Sequence, residues 1–154
     1  MITQIKKTFQ VSHEKSWYET YWAFDFHGTI IKPTYDLNDR SLDYYPYAKR
    51  TMQMLSARED IVLISWTSSY PHEIDEYLKK FEEDGIKFDH KQCNPGISSN
   101  MGNFGYYETK FYFNVLFEDK AGFQSDEEWE EIHEYLKWCE KTNYLPDPRW
   151  TAKY

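Results

Sequence analysis

The chain is poor in cysteine, in basic charge and in long apolar runs, and each shortage excludes something. Two cysteines, Cys93 and Cys139, make neither a disulfide framework nor a CxxC pair, so a reducing compartment is the simpler expectation. No Cys/His cluster has zinc-ligand spacing. Lysine and arginine number 18 against 26 acids, a formal net charge of −8. A phosphate backbone is held by a basic footprint, so nonspecific nucleic-acid binding is not expected. One nucleotide or one strand end needs only a local site. No run approaches the length of a membrane span, and the start, Met1 to Lys7, lacks the apolar stretch of a signal peptide. The expectation is no membrane role and a cytoplasmic location. Internal repeats and low-complexity tracts are also absent.

What is present reads as one globular domain over residues 1–154. The length suffices for one core and not for two, and 40% apolar with 29% charged residues is not a disordered composition. Aromatics reach 19%, with 14 tyrosines. Residues 1–18 read as a mixed, non-periodic extension with a short strand at Thr8–Val11. Residues 20–26 are the first firm strand. Pro46 opens a helix with Ala48, Thr51, Met52 and Leu55 on one face. Ile61–Trp66 is a short, nearly all-apolar strand, as burial on both faces requires. Pro71 opens a second helix, with Ile74, Tyr77, Leu78 and Phe81 inward and Gly85 past its end. Ile86–Phe88 reads as a third strand, 91–105 as an irregular loop and Phe111–Phe117 as a fourth strand. Ser125 with Glu128 reads as a capping box opening a helix to about Glu140, the core spans 20–140, and 144–154 is an extended tail. Strands alternating with helices predict an α/β fold: a central, mainly parallel sheet, three-layer and Rossmann-like, with helices on both faces.

Chemistry in such a sheet collects at the carboxyl ends of the strands. The first strand ends in Asp25, followed by His27, Gly28 and Thr29. The second ends in Trp66-Thr67-Ser68-Ser69, whose hydroxyls and backbone N–H groups suit an anion, although capping the next helix is the commoner role. The fourth ends in Phe117-Glu118-Asp119-Lys120, two acids that are costly unless they hold or pair with a cation. Lys110 precedes them by eight residues and balances charge there, or is simply a surface lysine.

Together these residues resemble the haloacid dehalogenase superfamily of phosphohydrolases. Asp25-Phe26-His27-Gly28-Thr29 is similar to that family's Asp-x-Asp-Gly-Thr motif. Thr67, Lys110 and Glu118-Asp119 fall where its second, third and fourth motifs stand, over residues 20–123. The resemblance implies that Asp25 attacks phosphorus and forms an aspartyl-phosphate. It implies a Mg²⁺ ion on Asp25, the His27 carbonyl, and Glu118 or Asp119. Thr67, with Ser68 and nearby N–H groups, then holds the phosphoryl oxygens, and Lys110 offsets the anions.

His27 departs from the family pattern, which has a second aspartate as acid and base at that position. Histidine titrates near ~6.5 and can serve as both. Alternatively it slows turnover by roughly 10²–10⁴-fold, leaving a binding or regulatory protein, or a phosphotransferase to an acceptor other than water. Neither gap between motifs has room for a cap domain. The resemblance then implies an open site of the kind that suits large substrates, such as phosphorylated polymers or proteins, or one closed by a second copy of the chain; a nucleotide or an end-phosphorylated polymer is a candidate substrate. Tyr44, Tyr45 and Tyr47 and the loop 94–107 are candidate lids, packing being the commoner role for such tyrosines.

Overall fold

Strand β1, Thr20–Phe24, is buried at all five positions, which is why no polar side chain but Thr20 interrupts it. It is an inner strand of a four-stranded sheet with β2 (Ile61–Ser65), β3 (His90–Lys91) and β4 (Val115–Phe117), in the order β3-β2-β1-β4. Every pairing is parallel, with Phe24 opposite Ser65 on one side and Phe117 on the other. Helix α1 (Ile2–Glu14) precedes the sheet, α2 (Ala48–Ser56) joins β1 to β2, α3 (Pro71–Glu83) joins β2 to β3, and α4 (Glu128–Thr142) follows β4. This computed structural model describes residues 1–34, 36, 38–92 and 111–142. A parallel sheet flanked by helices is a Rossmann-like α/β fold.

The main core joins one face of the sheet to all four helices. Trp22, Phe24, Leu63 and Phe117 meet Ile5 and Phe9 of α1, Met52 and Leu55 of α2, Tyr77 and Phe81 of α3, and Trp129 and Leu136 of α4. Phe117 stacks between Phe24 at 4.4 Å and Trp129 at 5.2 Å. The opposite face carries a smaller cluster of Tyr21, Ile64 and Tyr112.

The amino-terminal segment corrects the sequence reading: it is a helix and holds no strand at Thr8–Val11. Ile2, Ile5 and Phe9 share a helical face at i, i+3 and i+7. Ile5 and Phe9 are buried, each contributing roughly 1.5–3 kcal/mol. Long polar residues between them mask the period. Lys6 is one of these, and its ammonium lies 5.5 Å from the Tyr135 ring centroid. The partners are remote: Phe9 packs 5.7 Å from Trp22 and 6.4 Å from Tyr135.

Two strands start later than their apolar runs, for one reason: a side chain occupies the ladder. Asp89 Oδ2 accepts the Leu63 N–H at 2.8 Å, so pairing of β3 begins at His90 rather than Ile86. Asn114 Oδ1 accepts the Tyr21 N–H at 2.7 Å, so β4 begins at Val115 rather than Phe111. Helix α2 begins at Ala48 rather than Pro46, after Tyr47 in the left-handed region at φ 65°. The capping box at Ser125 is not formed: α4 begins at Glu128, whose Oε2 accepts the Gln124 N–H. Ser125 instead donates its hydroxyl to the Gly28 carbonyl at 2.5 Å. Gly85, at φ 78°, does end α3.

Candidate active site

The order of the strands reverses between β1 and β4, because the chain leaves β3 at one edge and re-enters beyond β1. Ligands bind at such switch points, outside the carboxyl ends of the strands. The ladder runs one step past the strands here. Trp66 N–H donates to the Phe24 carbonyl at 2.7 Å, and Asp25 N–H to the Phe117 carbonyl at 2.9 Å. Continuing the register sets Trp66, Asp25 and Glu118 side by side on three neighbouring strands. Asp25, Glu118 and Asp119 each bring a carboxylate oxygen within 4.8 Å of the others. A cleft of about 290 Å³ opens over them, walled by Asp25, Trp66, Thr67, Ser68, Gln92, Glu118 and Lys120.

The turn after β1 builds the cluster. Gly28 sits at φ +80°, and a Cβ there would stand 2.6 Å from Asp119 Oδ2. Only glycine meets both conditions. Thr29 is fully buried; its hydroxyl accepts the Asp119 N–H at 3.2 Å, and its carbonyl accepts Trp129 Nε1–H at 2.8 Å. The Gly-Thr pair thus ties the acidic turn after β4 to the turn after β1. A single 3-10 turn, Asp119–Ala121, follows, and the Glu118 carboxylate accepts the Lys120 N–H.

Thr67 is held by a residue that sequence reasoning missed. Gln92 Oε1 accepts the Thr67 N–H and Gln92 Nε2 donates to the Thr67 carbonyl, both at 2.6 Å. Gln92 adopts φ 49° to do so, and its own N–H bonds the Ser65 carbonyl. This clamp engages the Thr67 N–H, so that group does not serve an anion. The Thr67 hydroxyl lies 3.4 Å from Ser69 Oγ, and Thr67 walls the cleft beside Asp25. No local pattern marks Gln92, which lies 25 residues from its partner.

Burial pushes the Asp25 carboxyl above the ordinary aspartate range, against bonds from Thr67 and the Phe26 N–H and the nearby charge of Lys120. Burial also raises Glu118, helped by a carboxyl–carboxyl bond to Asp119. Lys120, the exposed cation at the cleft, stands 3.9 Å from Glu118 and 3.8 Å from Asp119. Its signal in the sequence was its place directly after the two acids. Lys110 lies outside the described residues, as do Cys93, the loop 94–107 and the tail 144–154.

His27 is not among the described residues that wall the cleft. Its Nε2 lies 2.9 Å from the hydroxyl of Tyr77, a buried residue of α3. The Arg40 guanidinium lies over the Tyr77 ring, 5.8 Å from its centroid, and pairs with Glu73 at 2.6 Å. The Tyr77 hydroxyl can donate to His27 Nε2 or accept from it, according to the tautomer of the imidazole. Burial lowers its pKa, against the charges of Asp25 and Glu73.

The three tyrosines weighed as a lid pack on the core. Tyr44 bonds Asp84 at 2.8 Å, and the Tyr47 ring lies 5.5 Å from His133. Larger hollows exist, one of about 560 Å³ between α1 and β4 and one of about 750 Å³ along α4. Neither brings hydroxyls and clustered carboxylates together. Cys139 is buried, and its thiol is free.

No protein-family model and no curated protein matches the chain. A solved structure described as "Structure of the conserved protein coded by locus from Bacteroides thetaiotaomicron" is similar at 24% identity and a TM-score of 0.55. It covers 77% of this chain and 90% of that one. This likeness concerns the fold. No helix among the described residues is long and apolar enough to cross a membrane.

Proposed function

We propose that the chain is a Mg²⁺-dependent phosphohydrolase of the haloacid dehalogenase type, acting on a phosphomonoester through Asp25. The observation that carries this reading is the meeting of Asp25, Glu118 and Asp119 at the switch point, with Thr67 and Ser68 in the wall of the cleft beside Asp25. The donor set is all carboxylate oxygen, which suits a hard cation such as Mg²⁺ and not zinc. Asp25, Glu118 and Asp119 would hold such an ion, which would supply neutralisation of phosphoryl charge and offset the burial of Asp25.

An Asp25 oxygen attacks phosphorus, the bond to the ester oxygen breaks, and the departing alkoxide takes up a proton. Water then attacks the same phosphorus, the bond to Asp25 breaks, and the carboxylate and inorganic phosphate are released. Thr67 and Ser68 bond the phosphoryl oxygens, and Lys120 balances their charge. Positioning and charge stabilisation of this kind are most of what phosphoryl transfer requires.

The bond with Tyr77 favours a second reading of the slow step. His27 Nε2 is occupied by the Tyr77 hydroxyl, so only Nδ1 is left. With its ring held on Tyr77 and outside the described wall of the cleft, His27 is poorly set to activate water, so the aspartyl-phosphate persists and passes its phosphoryl group to another hydroxyl.

Phosphate release from a panel of phosphomonoesters, with Mg²⁺ and with EDTA, tests both, beside Asp25→Asn and His27→Asp. Metal-dependent release that vanishes in Asp25→Asn supports the hydrolase. A trapped acyl-phosphate, with release rising in His27→Asp, supports the slower form. No release and no acyl-phosphate in either chain would sink the reading and leave a binding protein.

A further inference from the structure

Six of the seven residues walling the cleft are polar or charged; the seventh is Trp66. Its backbone N–H completes the ladder to Phe24, a bond that any residue but proline makes, so the ladder does not account for an indole there. The residue is 39% exposed, at a rim where an apolar ring gains nothing from water. It is not loose, because the Phe111 ring stacks on it at 4.3 Å with an interplanar angle of 29°. Phe111 in turn packs against the second cluster of Tyr21, Ile64 and Tyr112. One side of the indole is therefore backed and fixed. The continued register puts Trp66 beside Asp25, one strand spacing away, roughly 4.8 Å.

We propose that Trp66 is the specificity-determining residue of this cleft: a rigid platform on which the leaving group of the phosphomonoester stacks a flat π ring. The proposal rests on the phosphohydrolase reading for the seat of the phosphoryl group. An aliphatic chain gains little against polar walls, whereas a ring laid on indole gains stacking that tolerates many ring types. The cleft, about 290 Å³, lies at the low end of small-ligand sites, so a small monoester fits it. The ring has two sources, a base carried on a sugar or an aryl group on the ester oxygen.

The test measures kcat/KM for phosphate release by the full chain with Mg²⁺ on two matched pairs. Adenosine 5′-monophosphate is set against ribose 5-phosphate, and phenyl phosphate against glycerol 3-phosphate. Aryl esters are intrinsically more reactive, so the readout is how each ratio changes on mutation. Trp66→Ala lowers the ring-to-aliphatic ratio by roughly 5- to 100-fold, the worth of one stacked ring, and Trp66→Phe lowers it less. A fall confined to the first pair identifies a nucleotide, and one confined to the second an aryl phosphate. Ratios unchanged in Trp66→Ala, with circular dichroism showing a folded chain, overturn the proposal. If no compound is hydrolysed, the phosphohydrolase reading falls separately, and calorimetry with Mg²⁺ decides the ring. Adenosine monophosphate binding at least fivefold more tightly than ribose 5-phosphate, with the difference lost in Trp66→Ala, sustains it. Equal affinities, or no binding of either, overturn it.

Discussion

Gly28 and Asp119 occupy adjoining space so closely that a single methyl group cannot be added between them: a Cβ on Gly28 would lie 2.6 Å from Asp119 Oδ2 and 2.9 Å from its Cγ. The left-handed backbone at φ +80° adds a second reason for glycine. Gly28→Ala is expected to cost about 1–2 kcal/mol in backbone strain and to displace Asp119. Denaturant unfolding reads the first effect. Weaker Mg²⁺ binding than in the natural chain reads the second, and an unchanged Mg²⁺ affinity would show that Asp119 is not a ligand.

Asp25 is expected to oppose stability while it serves the site. Burial raises its folded pKa above the unfolded value. Between those values the folded chain binds the proton more tightly, so stability falls as pH rises through that window. At neutral pH without metal, Asp25→Asn therefore melts higher than the natural chain. Added Mg²⁺ reverses the order, since it stabilises only the chain that binds it. Thermal scans at pH 5 and pH 7.5, with and without Mg²⁺, measure both effects. Equal Mg²⁺ shifts in the two chains would remove Asp25 from the metal site.

Tyr77→Phe removes the hydroxyl that bonds His27 Nε2, with little change in volume. One hydrogen bond contributes about 0.5–1.5 kcal/mol, so stability drops by that order. Loss of the bond is expected to move the His27 pKa, measured by NMR titration: upward if the hydroxyl donates to Nε2, downward if it accepts from it. An unmoved pKa would show that the bond does not govern His27 titration.

Gln92→Ala cuts both bonds to the Thr67 backbone. At about 0.5–1.5 kcal/mol each, the loss of stability is about 1–3 kcal/mol. The catalytic effect is expected to be larger, because the loop carrying Thr67 and Ser68 loses its anchor: KM for a phosphomonoester rises tenfold or more. A KM within twofold of the natural value would make the clamp purely structural.

His133 is buried, and its Nδ1 has no hydrogen-bond partner among the described residues. Burial lowers its pKa, with Glu134 opposing and Lys137 and Arg50 assisting. The unfolded chain therefore takes up the proton first as pH falls below about 6.5, and the stability conferred by the neutral ring is lost down to the lowered folded value. His133→Leu is expected to lose less stability than the natural chain between pH 7 and pH 5. Parallel losses in the two chains would assign the acid sensitivity to other groups.

Much of the site was legible because a buried strand must be apolar while its end faces the ligand side. That contrast marked Asp25, Thr67, Ser68, Glu118 and Asp119; the first four wall one cleft, and Asp119 joins Asp25 and Glu118 in the carboxylate cluster. For His27 the sequence offers an acid and base, and the structure adds a partner that no local pattern shows: Nε2 lies 2.9 Å from the Tyr77 hydroxyl, 50 residues away. Ser125 was legible as a cap and is instead the anchor of the Gly28 turn, because its hydroxyl finds a carbonyl 97 residues distant.

The sequence by itself determined the parallel α/β architecture and the polar residues at its strand ends, since strand and helix periods and the burial of a central sheet are local constraints. Only the tertiary structure decided that residues 2–14 are a helix, that Gln92 clamps Thr67, and that Trp66 stands beside Asp25. Each of these depends on contacts between distant segments, and a hydrogen bond or a ring contact across such separations leaves no period in the chain.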